Sequence, residues 1–189
     1  MTTNAIIAAS GALLLRQRLH SLFIHTAKLH YDYPVRFASY EQYCRQTLMT
    51  RSQLEAEANS KDGCTVPRKG WHVVLFNEQI ASFRRRNFTL AHEIGHIHLG
   101  HKDDSPQSEG EANLFAACLL MHPALAGELA RRWGQEPTAD QLCEIFAVSR
   151  QAAAISWRRA LSYRLQPGDQ ELLRRYGPMI PDTTGPIVN

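Results

Sequence analysis

The chain is poor in cysteine for its 189 residues. It has four, Cys44, Cys64, Cys118 and Cys143, and no two of them form a CxxC pair. A disulfide framework and a thiolate zinc site are both excluded, and a reduced, intracellular protein is the simplest reading. Lysine is scarce too: of 21 basic residues 4 are Lys and 17 are Arg. Excess charge is lacking, and a net charge of +3 does not by itself point to a nucleic acid. No internal repeat or low-complexity tract is apparent. The apolar stretch Ala5–Leu15 falls short of the about 20 residues of a membrane-spanning helix. It also lacks the Lys or Arg that precedes the apolar core of a signal peptide. It therefore reads as a helix packed on the domain, which places the protein in the cytoplasm.

What is present is an ordinary globular composition, 44% hydrophobic and 21% charged, which excludes a wholly disordered or collagen-like chain. Residues 16–57 read as mostly helical, broken around Asp32–Pro34. Asn59–Gly70 collects Gly, Pro, Asn, Asp and Ser and reads as a loop. Trp71–Asn77 is short and rich in β-branched residues, as in a strand. A helix is expected over Asn87–Leu99 with Gly100 as its stop, and a second, largely buried one over Ser108–Met121. Three more helices follow, Ala124–Trp133, Thr138–Phe146 and Arg150–Leu165, and then a Pro- and Gly-bearing tail whose last residues are expected to be mobile. Thr138 with Gln141 forms a capping box, and Ser149 caps the last helix.

Four of the nine histidines fall between His92 and His101. Among them is His92-Glu93-Ile94-Gly95-His96, an HExxH motif. Residues four apart share one face of a helix, so two imidazoles can meet one metal ion. Glu93 lies a step around the helix, where its carboxylate can act as general base on a water at that ion. Phe88, Leu90, Ala91, Ile94 and Ile97 make this a largely buried helix, and buried histidines need partners.

A catalytic zinc usually takes three protein ligands. Leu99 and Lys102 stand where the HExxHxxGxxH pattern needs Gly and His, so that class is excluded. His98 points away from the ligand row, and His101, beyond Gly100, is a weaker alternative. A carboxylate from the second helix is the better third ligand, from Glu109 or Glu111. Glu109 shares a face with Asn113, Ala116 and Leu120, and small Ala116 and Ala117 would let the two helices approach closely.

The run from Arg86 to His96 and the run from Glu109 to Met121 closely resemble the ImmA/IrrE family of metallopeptidases, the second being similar to its ExxAN-x-FAA-x-LLMP element. Asp62-Gly63 and Val73–Glu78 look like the family's preceding turn and strand. The resemblance covers about residues 60–165. It implies His92 and His96 as metal ligands, Glu109 as the third ligand and Glu93 as the catalytic carboxylate. One departure is visible: LLMP appears as Leu119-Leu120-Met121-His122-Pro123, one residue longer.

Residues Thr138–Leu161 resemble a helix-turn-helix unit, and Ala147–Leu165 holds Arg150, Arg158, Arg159 and Arg164 with no acid. That segment is read either as a DNA-contacting module or, more simply, as a helical hairpin completing the domain.

The expected fold is α+β and mainly helical: a zincin-like metallopeptidase core with a small sheet and a C-terminal helix-turn-helix-like segment. The expected division is 1–58 as an N-terminal helical region, 59–125 as the metallopeptidase core, 126–165 as the helical subdomain and 166–189 as a tail. The resemblance implies a zinc endopeptidase, with Mn2+ or Fe2+ also suited to two His and a carboxylate. Its implied substrate is a helix-turn-helix repressor or antitoxin, whose cleavage derepresses genes of a mobile element, phage or stress response. The alternative is a DNA- or repressor-binding regulator with a structural or sensory metal.

Overall fold

A computed structural model describes residues 1–58 and 60–182. Asn59 and the end of the expected mobile tail, 183–189, lie outside the described residues. In chain order the elements are α1 (Thr3–Leu15), β1 (Val35–Ser39), α2 (Tyr40–Thr47), α3 (Arg51–Ala58), β2 (Gly63–Arg68), β3 (Trp71–Phe76), α4 (Phe83–Leu99), α5 (Pro106–Leu120), α6 (Pro123–Trp133), α7 (Ala139–Phe146), α8 (Arg150–Ser162) and α9 (Asp169–Tyr176). The architecture is α+β and mainly helical, as expected. The chain forms two units, one of His25–Ala112 and one of Met1–Ile24 with the residues from Asn113 onward. The expected N-terminal region 1–58 is thus shared between them.

The first unit is built on a three-stranded sheet of order β1-β3-β2. β1 runs parallel to β3, and β2 is antiparallel to it. β3 is central, and Val73, Val74 and Leu75 are all buried, as a strand covered on both faces requires. On one face Val73 and Leu75 pack with Tyr40, Tyr43 and Leu54 of α2 and α3, joined by Cys64 and Val66 of β2. Side chains alternate along a strand, so Gly63, Thr65 and Val74 turn to the other face, against which α4 packs.

Two sequence expectations fail here. Residues 16–34 form no α-helix, and Val35–Ser39 is a strand. β1 is five residues long, and its partner lies far along the chain (Val35 opposite His72), so local periodicity does not report it. The expected loop Asn59–Gly70 contains β2. Its Pro67 suggested a loop, but β2 is an edge strand, where a residue without an N–H is tolerated.

In the second unit α1 packs on α9, a helix not expected from sequence. The Tyr176 hydroxyl donates to the carbonyls of Leu14 at 2.7 Å and Gln17 at 2.8 Å, and the Arg175 guanidinium donates to Gln17 at 2.8 Å. These bonds tie the last turn of α1 and the residues just beyond it to α9. Ile6, Ile7, Leu13 and Leu14 are buried, so the apolar N-terminal stretch is a core helix. The run Pro106–Trp133 is also long and apolar enough to span a membrane, but 72% of its apolar window is buried in the protein. It is two helices, broken at the extra residue: His122 caps α6, its Nδ1 accepting from the Ala124 amide at 3.4 Å, and Pro123 takes the first helical position.

α7 and α8 form the expected hairpin, with the capping box Thr138/Gln141 and the Ser149 cap in place. Arg150 is paired with Asp140 at 2.5 Å. The exposed surface of α8 carries Ile155 and Leu161.

Candidate metal centre

α4 sets the geometry. Ser82 caps its start by accepting from the Arg85 amide, and Gly100, at a φ of 71°, ends it. Asn87, Leu90, Ala91, Ile94 and Gly95 are buried and recur at helical spacing, forming the buried stripe of the helix. His92 and His96 lie one position beyond this stripe, so they sit at its edge, with side-chain exposures of 15% and 14%. A ligand needs that position: it is dry enough to bind strongly and open enough to reach.

Buried Asn87 anchors α4 to the preceding segment. Its Oδ1 accepts from the Thr26 amide at 2.9 Å, and the Tyr31 hydroxyl donates to the Thr26 carbonyl at 2.8 Å. At the other side Arg85 grips Asp62 through both carboxylate oxygens, tying the first turn of α4 to the start of β2.

α4 and β2 run alongside each other in the same direction. Four helix residues rise about 6 Å, and two strand residues rise about 6.7 Å. The steps therefore match: Thr89 sits over Gly63, and Glu93 sits over Thr65. A Cβ at Gly63 would lie 2.5 Å from Thr89 Cγ2 and 2.6 Å from the Leu75 carbonyl oxygen, so the helix can approach only a glycine. Two residues on, the Thr65 hydroxyl donates to Glu93 Oε2 at 2.8 Å. Burial pushes the Glu93 carboxyl up to about 7; the Thr65 bond opposes the rise, and the charges of Glu109 and Asp104 add to it.

The third donor comes from α5. Ser105 Oγ accepts from the Ser108 amide, and Asp103 accepts from the Ser105 amide and the Ser108 hydroxyl, which sets the first turn. Glu109 then points at the histidines. His92 Nε2 and His96 Nε2 are 3.0 Å apart, and the Glu109 oxygens lie 3.3 Å from the first and 3.2 Å from the second. Ligands placed tetrahedrally at about 2.0–2.1 Å from one ion are separated by about 3.3 Å. The donor set fits a divalent ion in both spacing and chemistry. Burial, together with the neighbouring His92, lowers the basicity of His96, which favours the neutral ring that a metal takes.

The remaining candidates lie elsewhere. His98 packs its ring against Tyr33, centroids 6.0 Å apart. His101 and Glu111 pair with each other, Nε2 to Oε2 at 3.2 Å, outside the donor group. Sequence reasoning missed Thr65. It lies 28 residues before Glu93, and only the strand register, which also places Gly63, reveals it.

A family model described as Peptidase_M78, IrrE N-terminal-like domain, matches residues 45–158. The chain belongs to this family. The IrrE-like match takes in α4 and the whole donor set. The chain is also 36% identical over 121 residues to the radiation response metalloprotease IrrE of Deinococcus deserti, a match covering 57% of this chain and 41% of that relative. It thus spans less than half the length of the curated IrrE protein.

Proposed function

We propose that the chain is a zinc-dependent endopeptidase, with His92, His96 and Glu109 as metal ligands and Glu93 as catalytic base. The observation that carries this reading is the convergence of two Nε2 atoms and one carboxylate beside a second, partly buried carboxylate, that of Glu93. A divalent ion bound there supplies Lewis-acid activation of water and of the scissile carbonyl. Zinc is the usual choice for such a set, and Mn2+ or Fe2+ suits the same ligands.

The protein's own groups supply the rest. Glu93 accepts the water's proton on a carboxylate oxygen and delivers it to the departing amine. Thr65, bonded to Oε2, fixes the carboxylate's orientation through that exchange. The α4 stripe holds His92 and His96 at the edge of the core, so their geometry is set before substrate arrives. The donor set has three members among the described residues, whereas a structural zinc is normally closed by four. That supports a catalytic rather than a structural centre.

The substrate we propose is a protein partner, a helix-turn-helix (Xre-type) repressor or antitoxin in the cytoplasm. Its cleavage would derepress genes of a mobile element, phage or stress response. Co-expression with a candidate helix-turn-helix repressor tests the reading. Site-specific cleavage that stops on chelation and returns with added zinc is expected. Cleavage that persists after the metal is stripped would refute it.

A further inference from the structure

His96 uses Nε2 in the donor group, which leaves Nδ1 on the far side of its ring. That atom is 3.2 Å from His101 Nδ1, with the rings edge to face at 5.0 Å and 77°. The other nitrogen of His101 is 3.2 Å from Glu111 Oε2, and Glu111 Oε1 accepts from the Gln107 amide at 2.9 Å. Side-chain exposures of 9% for His101 and 12% for Glu111 make this a nearly dry chain of contacts.

One assignment of protons satisfies these contacts and keeps His96 Nε2 free to bind. His96 carries its proton on Nδ1 and donates to His101 Nδ1. His101 carries its proton on Nε2 and donates to Glu111. The opposite assignment aims the His96 proton into the donor group. The backbone builds the arrangement: Gly100 turns the chain in the left-handed region, and the His101 amide then donates to the His96 carbonyl at 3.0 Å. The ring is thereby folded back along α4.

We infer that Glu111 and His101 act as positioning residues, a carboxylate–imidazole relay that fixes the tautomer and orientation of His96 for the metal. This rests on the proposed reading of His92, His96 and Glu109 as the metal site. A ligand histidine whose second nitrogen is held in this way binds more strongly, and loss of the outer partner typically costs 10- to 100-fold in metal affinity. The two residues that compete in the sequence with Glu109 for the third ligand position thus serve the metal from one step behind.

The test is zinc affinity of the full-length chain, by competition with a chromophoric chelator, together with the visible spectrum of the cobalt-substituted protein. His101→Ala and Glu111→Ala are each expected to weaken zinc binding 10- to 100-fold and to shift the cobalt bands, with the zinc-free proteins still folded by circular dichroism. The double variant should lose no more than the worse single one, because the two act in series. His101→Gln, whose amide can accept from His96 and donate to Glu111, should recover part of the loss. Zinc affinities within twofold of wild type for both alanine variants and for Glu111→Gln would overturn the relay while leaving the metal site intact. Failure of the underlying reading looks different: wild type and His92→Ala would then bind zinc equally or not at all, and the relay would fall with it.

Discussion

The Thr65 hydroxyl donates a 2.8 Å hydrogen bond to Glu93, joining an edge strand to the carboxylate assigned as base. Hydrogen bonds to charged groups contribute about 1.5–3 kcal/mol. Thr65→Val keeps the shape and removes the donor. Turnover should fall about 10- to 100-fold while zinc content is unchanged. Unaltered turnover in a partner-cleavage assay would show that Glu93 needs no such support.

Gly63 lets α4 lie against β2. A methyl group there meets the Leu75 backbone oxygen at 2.6 Å, which cannot swing aside as a side-chain end can. Gly63→Ala is expected to destabilise the fold by about 1–3 kcal/mol. Denaturant unfolding monitored by circular dichroism measures it directly, and a midpoint equal to wild type would contradict the packing described.

The candidate site was largely legible in the sequence, and the sheet was not. His92, Glu93 and His96 declare themselves by helical spacing, and Glu109 by its shared face with Asn113, Ala116 and Leu120. Those relations are local, so one helix carries each of them. β1 depends on a parallel partner more than thirty residues away, and β2 hides behind Pro67 and its flanking polar residues. α9 follows a Pro-Gly pair and owes its place to α1 at the opposite end of the chain. Thr65 is a product of strand register, which no spacing rule reports, whereas the Gly100 stop allows His101 to bend back without fixing what it meets.

Leu48 ends α2 in the left-handed region, with a φ of 58°, and its side chain is 92% exposed. A branched side chain in that conformation costs about 1–2 kcal/mol, and glycine returns part of the saving through its freer unfolded state. Leu48→Gly should therefore stabilise the protein by about 1 kcal/mol. A thermal melt of the variant should show a rise of a few degrees, and a fall would mean that Leu48 makes a contact worth more than the strain.

His122 is buried, with Asp169 Oδ1 at 3.9 Å and the Tyr163 ring beside it, while Asp169 also accepts from the Tyr163 hydroxyl at 2.8 Å. Burial holds the His122 pKa below its ordinary 6.5, against the opposing pull of Asp169. Between the folded value and 6.5 the unfolded chain therefore binds the extra proton. Its contribution to stability is present above pH 6.5 and is lost as the pH falls below it, by up to about 1.4 kcal/mol per pH unit. The difference in unfolding free energy between wild type and His122→Asn, measured from pH 8 to pH 5, should shrink on the acid side. A difference that stays flat across that range would contradict the assignment.

In the proposed mechanism three side chains hold a metal and a fourth, Glu93, works beside it without holding it. Zinc content and partner cleavage measured on the same preparation of Glu93→Gln test this most directly. Equimolar zinc, as in wild type, is expected, with cleavage reduced about 10²- to 10⁴-fold. Cleavage at the wild-type rate, or zinc lost together with activity, would contradict it.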